Sequence, residues 1–567
     1  MTAKATTNTL TGAEAMVRML EAHGVRHIFG LCGDTSLPFY DALHQLDHDI
    51  EHILTRDERS AAYMADGYAR VTGRPGICEG PSGGGATYIL PGLVEANESS
   101  IPILAITSDV GTRSRGHYPL TELDQEGLMR PLTKYNSVIQ HADAIPDTVR
   151  TAFRKMTTGR PGSAHLGLPI DVQRGQADPE TIWADPRHRT FPAYPTGPDP
   201  EAIAAAVDAL LSADFPVVIV GGGVILAGGE ADFLTFIETL DIAVATTISG
   251  QGTLPETHPN CIGVVGSNGG VPETREIVEA ADLVVFIGCR AGSVTTELWR
   301  YPAKGTRIVH IDSDPEVIGA SYPTEVGVVS DARLALQAIE TELAGRADRK
   351  TFGGARAIEG PKARKWAAFD HLANSDATPI RPERVIATLR RVLDDDALIV
   401  GDPGTPCPYI SAFYEVRTVG RTLWSNRAHG ALGYALSASV GAAIGAPGRK
   451  VVALMGDGSF GFTCGELETV KRLGLPITFV VFSNAVYGWI KAGQKTAFGE
   501  RYFSVDFDRT DHAAVAEAFG VKAWQVENPD DLQAALSAAI DHPGPSLVDI
   551  VSQPLHEAKA PVSEWIA

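Results

Sequence analysis

Two polar side chains stand where apolar strands give out. In KVVALMGDGSFGF the apolar run ends at Met455, and Gly456-Asp457-Gly458 turns toward a helix. In ITFVVFSNAVYGW a second run ends at Ser483-Asn484. A carboxylate and a carboxamide oxygen are hard donors of the kind that suit Mg²⁺, whose other ligands are phosphate oxygens and water. The glycines beside Asp457 let backbone N–H groups approach a diphosphate, and the following helix N-terminus adds to the attraction. GDG alone would equally fit a plain strand–turn–helix with a solvated aspartate. The second strand ending at Asn484, with a helix between, favours the metal and diphosphate site.

Asp457 and Asn484 share one edge only if their strands run parallel, because open α/β sheets bind ligands at the carboxyl ends of their strands. The rest of the chain is patterned for such sheets. Residues 1–190 alternate helices such as Gly12–His23 with short strands at His27–Gly30, Gly76–Cys78 and Pro102–Thr107. Arg174–Pro200, rich in Pro and Asp, reads as a linker. Residues 191–345 carry strands at Pro216–Val220, Ile242–Thr246, Leu283–Gly288 and Arg307–Ile311. A charged, Gly-containing linker is expected over 346–378. Residues 379–567 follow, with strands Ala397–Val400, Val451–Met455 and Ile477–Phe482 and a small-residue helix from Gly430 to Gly445. The pattern predicts an α/β protein of three domains, each a mainly parallel sheet flanked by helices. A chain of 567 residues is too long for one core. No internal sequence repeat is visible.

A formal net charge of -21 argues against a nucleic-acid partner, since an acidic surface repels phosphate backbones. No apolar run approaches the ~20 residues that span a bilayer, so no membrane partner is expected. The opening MTAKATTNTLTGAEAM lacks the apolar core of a signal peptide. The six cysteines show no CxxC spacing and are expected to be reduced packing residues in a cytoplasmic protein.

The stretch from Lys450 to Trp489 resembles the signature of thiamine-diphosphate enzymes, in which GDG is followed, after a helix and a strand, by an asparagine pair. Here Ser483 replaces the first asparagine and Asn484 keeps the second. The resemblance implies Mg²⁺ held by Asp457, Asn484 and the backbone carbonyl of Val486. It places Gly456, Gly458, Ser459, Tyr487 and Gly488 around bound thiamine diphosphate, with Gly404 and Thr405 of the GDPGTP turn as further contacts. TRDERSAAYMADGYARVTGRPGICEGPSGGGATYILPGL is similar to the pyrimidine-binding domain of acetolactate synthases, whose Arg-His-Glu reads Arg56-Asp57-Glu58 here. IDSDPEVIG resembles their central domain, and GALGYALSASVGAAIGA their GTMGYGLPAA-like helix. By resemblance the order is pyrimidine-binding, central, then diphosphate- and metal-binding domain, as in the acetolactate synthase and pyruvate decarboxylase superfamily.

That resemblance makes Glu58 the carboxyl that bonds the aminopyrimidine ring and helps remove the weakly acidic C2 proton of the thiazolium. Burial should raise its pKa. A solvated glutamate stabilised by its helix dipole would look the same in sequence. Leu432 occupies the position where the family often has a methionine that supports the bent cofactor. The implied chemistry is making or breaking a carbon–carbon bond next to a carbonyl. Sites in this family form between subunits, so a homodimer or homotetramer is expected.

Substrate choice is less legible. FGLCGDTS resembles the FGLPGD loop of pyruvate decarboxylases, which makes Asp34 a candidate proton-transfer group. His117, Glu122 and Gln125 of RGHYPLTELDQ are further candidates, and Trp489 and Ile490 are expected to shape the acceptor side. The tail Pro561–Ala567 is either a lid or a frayed end. GGGVILAGG fits a dinucleotide motif poorly; FAD, an ADP moiety or an empty central domain all remain open, with empty slightly favoured. The first functional reading is a 2-oxo acid decarboxylase or carboligase of acetolactate synthase type. The alternative is a 2-hydroxyacyl-CoA lyase or oxalyl-CoA decarboxylase, to which FGFTCGELET and the Trp565 tail are similar, so the substrate is a 2-oxo acid or an acyl-CoA. An inactive cofactor-binding subunit is disfavoured by intact Glu58, Asp457 and Asn484.

Overall fold

Short Val- and Ile-rich runs closed by Gly or Pro turns form fully buried strands when helices cover both sheet faces. A computed structural model describes residues 9–565 of the chain. The first part of the opening stretch read against a signal peptide, and the last two residues of the tail, lie outside the described residues.

Six strands form the first sheet: β1 (His27–Gly30), β2 (Glu51–Leu54), β3 (Gly76–Gly80), β4 (Ile103–Asp109), β5 (Tyr135–Val138) and β6 (Ala164–Pro169). Their spatial order is β2-β1-β3-β4-β6-β5, all parallel. The second sheet contains β7 (Pro216–Val220), β8 (Ala243–Thr246), β9 (Cys261–Val264), β10 (Leu283–Ile287), β11 (Arg307–Asp312) and β12 (Val326–Val329), in the order β9-β8-β7-β10-β11-β12. The third contains β13 (Leu398–Gly401), β14 (Leu423–Ser425), β15 (Val451–Gly456), β16 (Ile477–Ser483), β17 (Lys522–Val526) and β18 (Ser546–Val551). Its order, β14-β13-β15-β16-β18-β17, repeats that of the first sheet. The duplication is one of topology, with no repeat in the sequence to announce it. The three parallel sheets flanked by helices are the predicted fold class.

The helices used below are α1 (Gly12–Ala22), α2 (Leu37–Gln45), α3 (Glu58–Thr72), α4 (Gly354–Ala373), α5 (Pro406–Phe413), α6 (Tyr434–Gly445), α7 (Asp457–Thr463), α8 (Gly488–Phe498) and α9 (His512–Ala518). Helix α1 opens on a capping box in which Thr11 and Glu14 satisfy each other's backbone N–H. The segment 346–378, expected as a linker, is largely helix α4. Its Ile358 joins the core beside the second sheet, and Phe369 and Ala373 join that of the third. Gly360, Pro361 and the surrounding charges hid this helix in the sequence.

The chain forms two compact units, and their boundaries cut across the sequence blocks. One runs to Tyr194 and also takes Asn426–Pro447 and Gly465–Leu473 from the expected third domain. The other holds the second and third sheets. Helix α6 belongs with the first unit because small residues let it lie backbone-to-backbone on α3. A Cβ on Gly67 would overlap the Ala438 carbonyl, and one on Gly441 would overlap that of Met64. The segment 174–200, read as a linker, carries two short helical turns, Pro179–Thr181 and Pro186–Arg189. Four cysteines are buried as expected; Cys32 is exposed, so it does not pack as predicted. Among the described residues, no helix is long and apolar enough to cross a membrane.

Candidate active site

In the third sheet the strands are added to one side of β13 by β14 and to the other by β15. The gap between β13 and β15 is a topological switch point, where parallel sheets open a crevice at their carboxyl ends. Gly404 and Thr405 follow β13, Asp457 follows β15, and Asn484 follows β16. Asp457 is not in a free turn: it is the first residue of α7 and is buried. Its carboxylate accepts N–H groups from Gly458 at 2.8 Å, Asn484 at 2.7 Å and Ala485 at 2.6 Å. Burial pushes its pKa up, and these bonds oppose the rise without cancelling it. A buried carboxyl of this kind is stabilised as the anion by a cation.

Asn484 donates from Nδ2 to Thr405 Oγ1 at 3.3 Å, which turns its carbonyl oxygen away from Thr405. Ala485 has a φ of 55°, strained for a residue with a Cβ. Bonds from Tyr487 N–H to the Val505 carbonyl (2.9 Å) and from Phe507 N–H to the Ala485 carbonyl (3.1 Å) pin this loop on either side of Val486. Gly404, with φ of 98°, and Gly456 both face open space: a Cβ on either would meet nothing within 4 Å. Gly458 differs, since a Cβ there would come within 2.8 Å of the Tyr487 ring. Ser459 is buried in the first turn of α7, and Gly488 begins α8. Among the described residues no group of three or more His, Cys, Asp and Glu gathers for a metal. The donor set is oxygen-only and small, which fits Mg²⁺ held largely through phosphate oxygens. The open glycine backbones fit the diphosphate.

Ser483 belongs to a buried cluster behind this edge. Its Oγ donates to Asp549 at 2.5 Å and lies 2.8 Å from His512 Nδ1, and the His512 backbone N–H reaches the other Asp549 oxygen at 3.2 Å. Burial acts to raise the Asp549 carboxyl, yet the bonds from His512 and Ser483 outweigh it and hold the group below its ordinary range. The cluster fixes the residue next to Asn484. Sequence reading missed His512 and Asp549, which lie far along the chain on α9 and β18.

In the first unit Glu58 is the first residue of α3, capped by Asp57, whose side chain accepts the Arg59 N–H at 2.7 Å. Glu58 is buried against the GPSGGG turn after β3. A Cβ on Gly80 would stand 3.1 Å from its Cγ, and one on Gly85 3.0 Å from Oε1. Burial first, then the nearby Asp57 and Glu79 carboxylates, raise its pKa. Glu58 is thus buried with its pKa raised, unlike the solvated glutamate of an ordinary first turn.

Three descriptions of the thiamine pyrophosphate enzymes match in order. The N-terminal TPP binding domain covers residues 10–128, the central domain 203–339 and the C-terminal TPP binding domain 402–550. The chain is 34% identical over 558 residues to a probable acetolactate synthase large subunit of Methanococcus aeolicus, covering 96% of this chain and 92% of that one. The chain belongs to the thiamine pyrophosphate enzyme family. A probable acetolactate synthase large subunit of Methanocaldococcus jannaschii is 35% identical over 96% of this chain and 92% of its own. The acetolactate synthase isozyme 3 large subunit of Escherichia coli is 32% identical over 94% and 92%.

Other candidate residues of this thiamine pyrophosphate enzyme fall in different settings. Leu432 is half-buried just before α6, in a loop whose N–H groups at Ala428, His429 and Gly430 converge on the buried Glu95 carboxylate. Asp34 is exposed and accepts the Thr35 N–H at 2.9 Å. His117 and Glu122 are exposed on one loop, where Glu122 accepts the Gly116 N–H at 2.6 Å. Gln125 is buried instead, bonded to Thr107 Oγ1 and to the Ser108 carbonyl, so it ties this loop to β4. A chain of hydroxyls not singled out by sequence runs Ser108–Thr35–Ser82–Thr121 at the carboxyl ends of β1, β3 and β4. Ile490 is exposed, while Trp489 packs on Trp565 with ring centroids 5.0 Å apart. The tail is docked as far as Trp565, through Pro561 O to the Gly269 N–H and Ser563 Oγ to Glu297.

The glycine run after β7 contrasts with Gly404 and Gly456. A Cβ on Gly221 would overlap the Gly288 carbonyl, one on Gly222 would come 2.9 Å from the Ser249 carbonyl, and one on Gly223 would come 2.6 Å from Gly288 Cα. These glycines serve close packing of protein backbone.

Proposed function

We propose that this thiamine-diphosphate-dependent enzyme is a 2-oxo acid decarboxylase or carboligase of acetolactate synthase type. The observation that carries the reading is the set Asp457, Asn484 and Val486 at a switch point beside open glycine backbones. Asp457, Asn484 and the Val486 carbonyl would hold Mg²⁺. The backbone at Gly404, Gly456 and Gly458, with Thr405, Ser459, Tyr487 and Gly488, would hold the diphosphate, and Leu432 would support the cofactor's bend. Bound thiamine diphosphate supplies a centre that stabilises the charge formed when a bond next to a carbonyl is cleaved or made. Glu58 would hold a proton on its carboxyl for the aminopyrimidine N1′, a positioned acid–base role worth about 10²–10⁴ in rate. Trp489 and Ile490 would border the acceptor side. Free cysteines and the acidic surface support a cytoplasmic protein, and the family resemblance supports a homodimer or homotetramer.

Purified protein with thiamine diphosphate and Mg²⁺ would be offered pyruvate, glyoxylate, oxalyl-CoA and a 2-hydroxyacyl-CoA in turn. Release of CO₂ from a 2-oxo acid is expected; turnover confined to the CoA substrates would select the lyase or oxalyl-CoA decarboxylase reading instead.

The poor fit of GGGVILAGG to a dinucleotide motif supports a central domain without flavin. The purified protein is expected to be colourless, with no band at about 450 nm, where protein-bound flavins absorb. A yellow protein that releases its chromophore on denaturation would contradict this.

A further inference from the structure

Glu79 is a second buried carboxyl in the wall that carries Glu58. It sits on β3 immediately before Gly80, the glycine against which Glu58 rests, and is 1% exposed. Tyr40 on α2 donates to Glu79 Oε1, and its hydroxyl lies 2.9 Å from His52 Nε2 on β2. A phenol has one proton, and here Glu79 receives it; His52 therefore donates from Nε2 to the phenol oxygen. His52 Nε2 also lies 3.6 Å from Glu79 Oε1, with 18% of its side chain exposed, and Tyr40 is likewise partly exposed. Gly30 on β1 makes room, since a Cβ there would overlap the Glu79 carboxylate. A buried strand position is most cheaply filled by an apolar side chain. Here three strands and a helix are arranged around an acid.

The two carboxyls have unlike surroundings. Glu79 is faced by His52 from β2, Tyr40 from α2, the Leu31 N–H and Cys32 from the loop after β1, and Cys78 on its own strand. Glu58 is faced by Asp57, Glu79 and Tyr40 and by its own N–H. Burial is the largest cause for both acids and raises both; Tyr40, His52 and the Leu31 N–H favour the Glu79 anion, whereas Glu58 has only its own N–H. When two acids share a low-dielectric wall, the one with donors takes the charge and the other keeps its proton.

We propose that Tyr40, His52 and Glu79 form a positioning cluster for Glu58: Glu79 carries the charge of the pair, and Glu58 thereby keeps the proton its cofactor partner needs. The proposal rests on the role given to Glu58 above.

A ring nitrogen accepts a hydrogen bond from Glu58 only while Glu58 is protonated. Affinity for thiamine diphosphate is then full below the Glu58 pKa and falls as pH rises through it. Calorimetric titration of thiamine diphosphate with Mg²⁺ across pH tests this without turnover. Glu79→Gln keeps the shape and removes the charge, so Glu58 loses its proton sooner and affinity begins to fall at lower pH. On the falling limb a loss of about threefold relative to wild type is expected, as for removal of a nearby like charge. In a Glu58→Gln background the same substitution should shift nothing, because the coupling partner is gone. His52→Gln weakens the Glu79 anion from the cluster's solvent edge and should act in the same direction, which covers a Glu79→Gln protein that does not fold. An unmoved limb in these variants, or an equal shift in the Glu58→Gln background, would overturn the proposal. If Glu58→Gln alone leaves the pH dependence of wild type intact, the role of Glu58 itself is wrong.

Discussion

Asp457→Ala is expected to abolish Mg²⁺-dependent binding of thiamine diphosphate while the apoprotein stays folded. The carboxylate is both a candidate metal ligand and the acceptor for the N–H groups of Gly458, Asn484 and Ala485. Removing it takes the one charged donor from the site and frees the loop that presents Asn484 and Val486. Outer-shell partners of a metal cost 10–100-fold in affinity when lost, so a direct ligand should cost at least about a hundredfold. The structural cost is smaller. Orphaned N–H groups cost about 1–3 kcal/mol each when buried, and less beside an open crevice where water can replace the carboxylate. Calorimetry of cofactor binding with and without Mg²⁺, alongside a thermal melt, separates the two effects. Unchanged, Mg²⁺-dependent affinity in Asp457→Ala would remove Asp457 from the metal site.

The strands were legible because parallel sheets bury both faces and write themselves as unbroken apolar runs. His27–Gly30 and Pro216–Val220 have the bounds expected of them, and the ends at Met455 and Phe482 differ by one residue. Asp457 and Asn484 were legible for the same reason, since each follows such a run. Helix α4 was not: its buried residues recur at helical spacing, but Gly354, Pro361 and Lys365 among them leave little apolar stripe to read. Helix α6 was legible as a helix but not in its placement: its small residues pack on α3 of the first unit, and backbone-to-backbone fit leaves no apolar signature to assign. Gly433, at φ of 87°, also starts that helix later than the Gly430 expected.

At the site itself, single positions gave way to groups that only folding assembles. Ser483 looked like a lost asparagine, and its partners His512 and Asp549 come from other elements. Glu79 reads as an odd residue in an apolar strand until Tyr40 and His52 stand beside it. Gln125 had the right type for a substrate group, yet its amide is consumed by Thr107 and Ser108. Hydrogen-bond partners, unlike strand periodicity, are long-range facts that spacing does not encode.

The central claim is that this chain activates thiamine diphosphate through a buried, proton-holding Glu58. Deuterium exchange at C2 of the bound cofactor measures that activation directly, free of any choice of substrate. Glu58→Gln keeps the side-chain shape and a hydrogen bond but cannot exchange a proton with the ring. Exchange in that variant is expected to slow by at least ~10²-fold, the lower end of what a positioned acid–base group contributes. Affinity at low pH should change far less, because the metal and diphosphate contacts proposed at Asp457 and Asn484 are untouched. Exchange as fast in the variant as in wild type would show that Glu58 is not the activator. Wild-type exchange no faster than that of free cofactor would contradict the account as a whole.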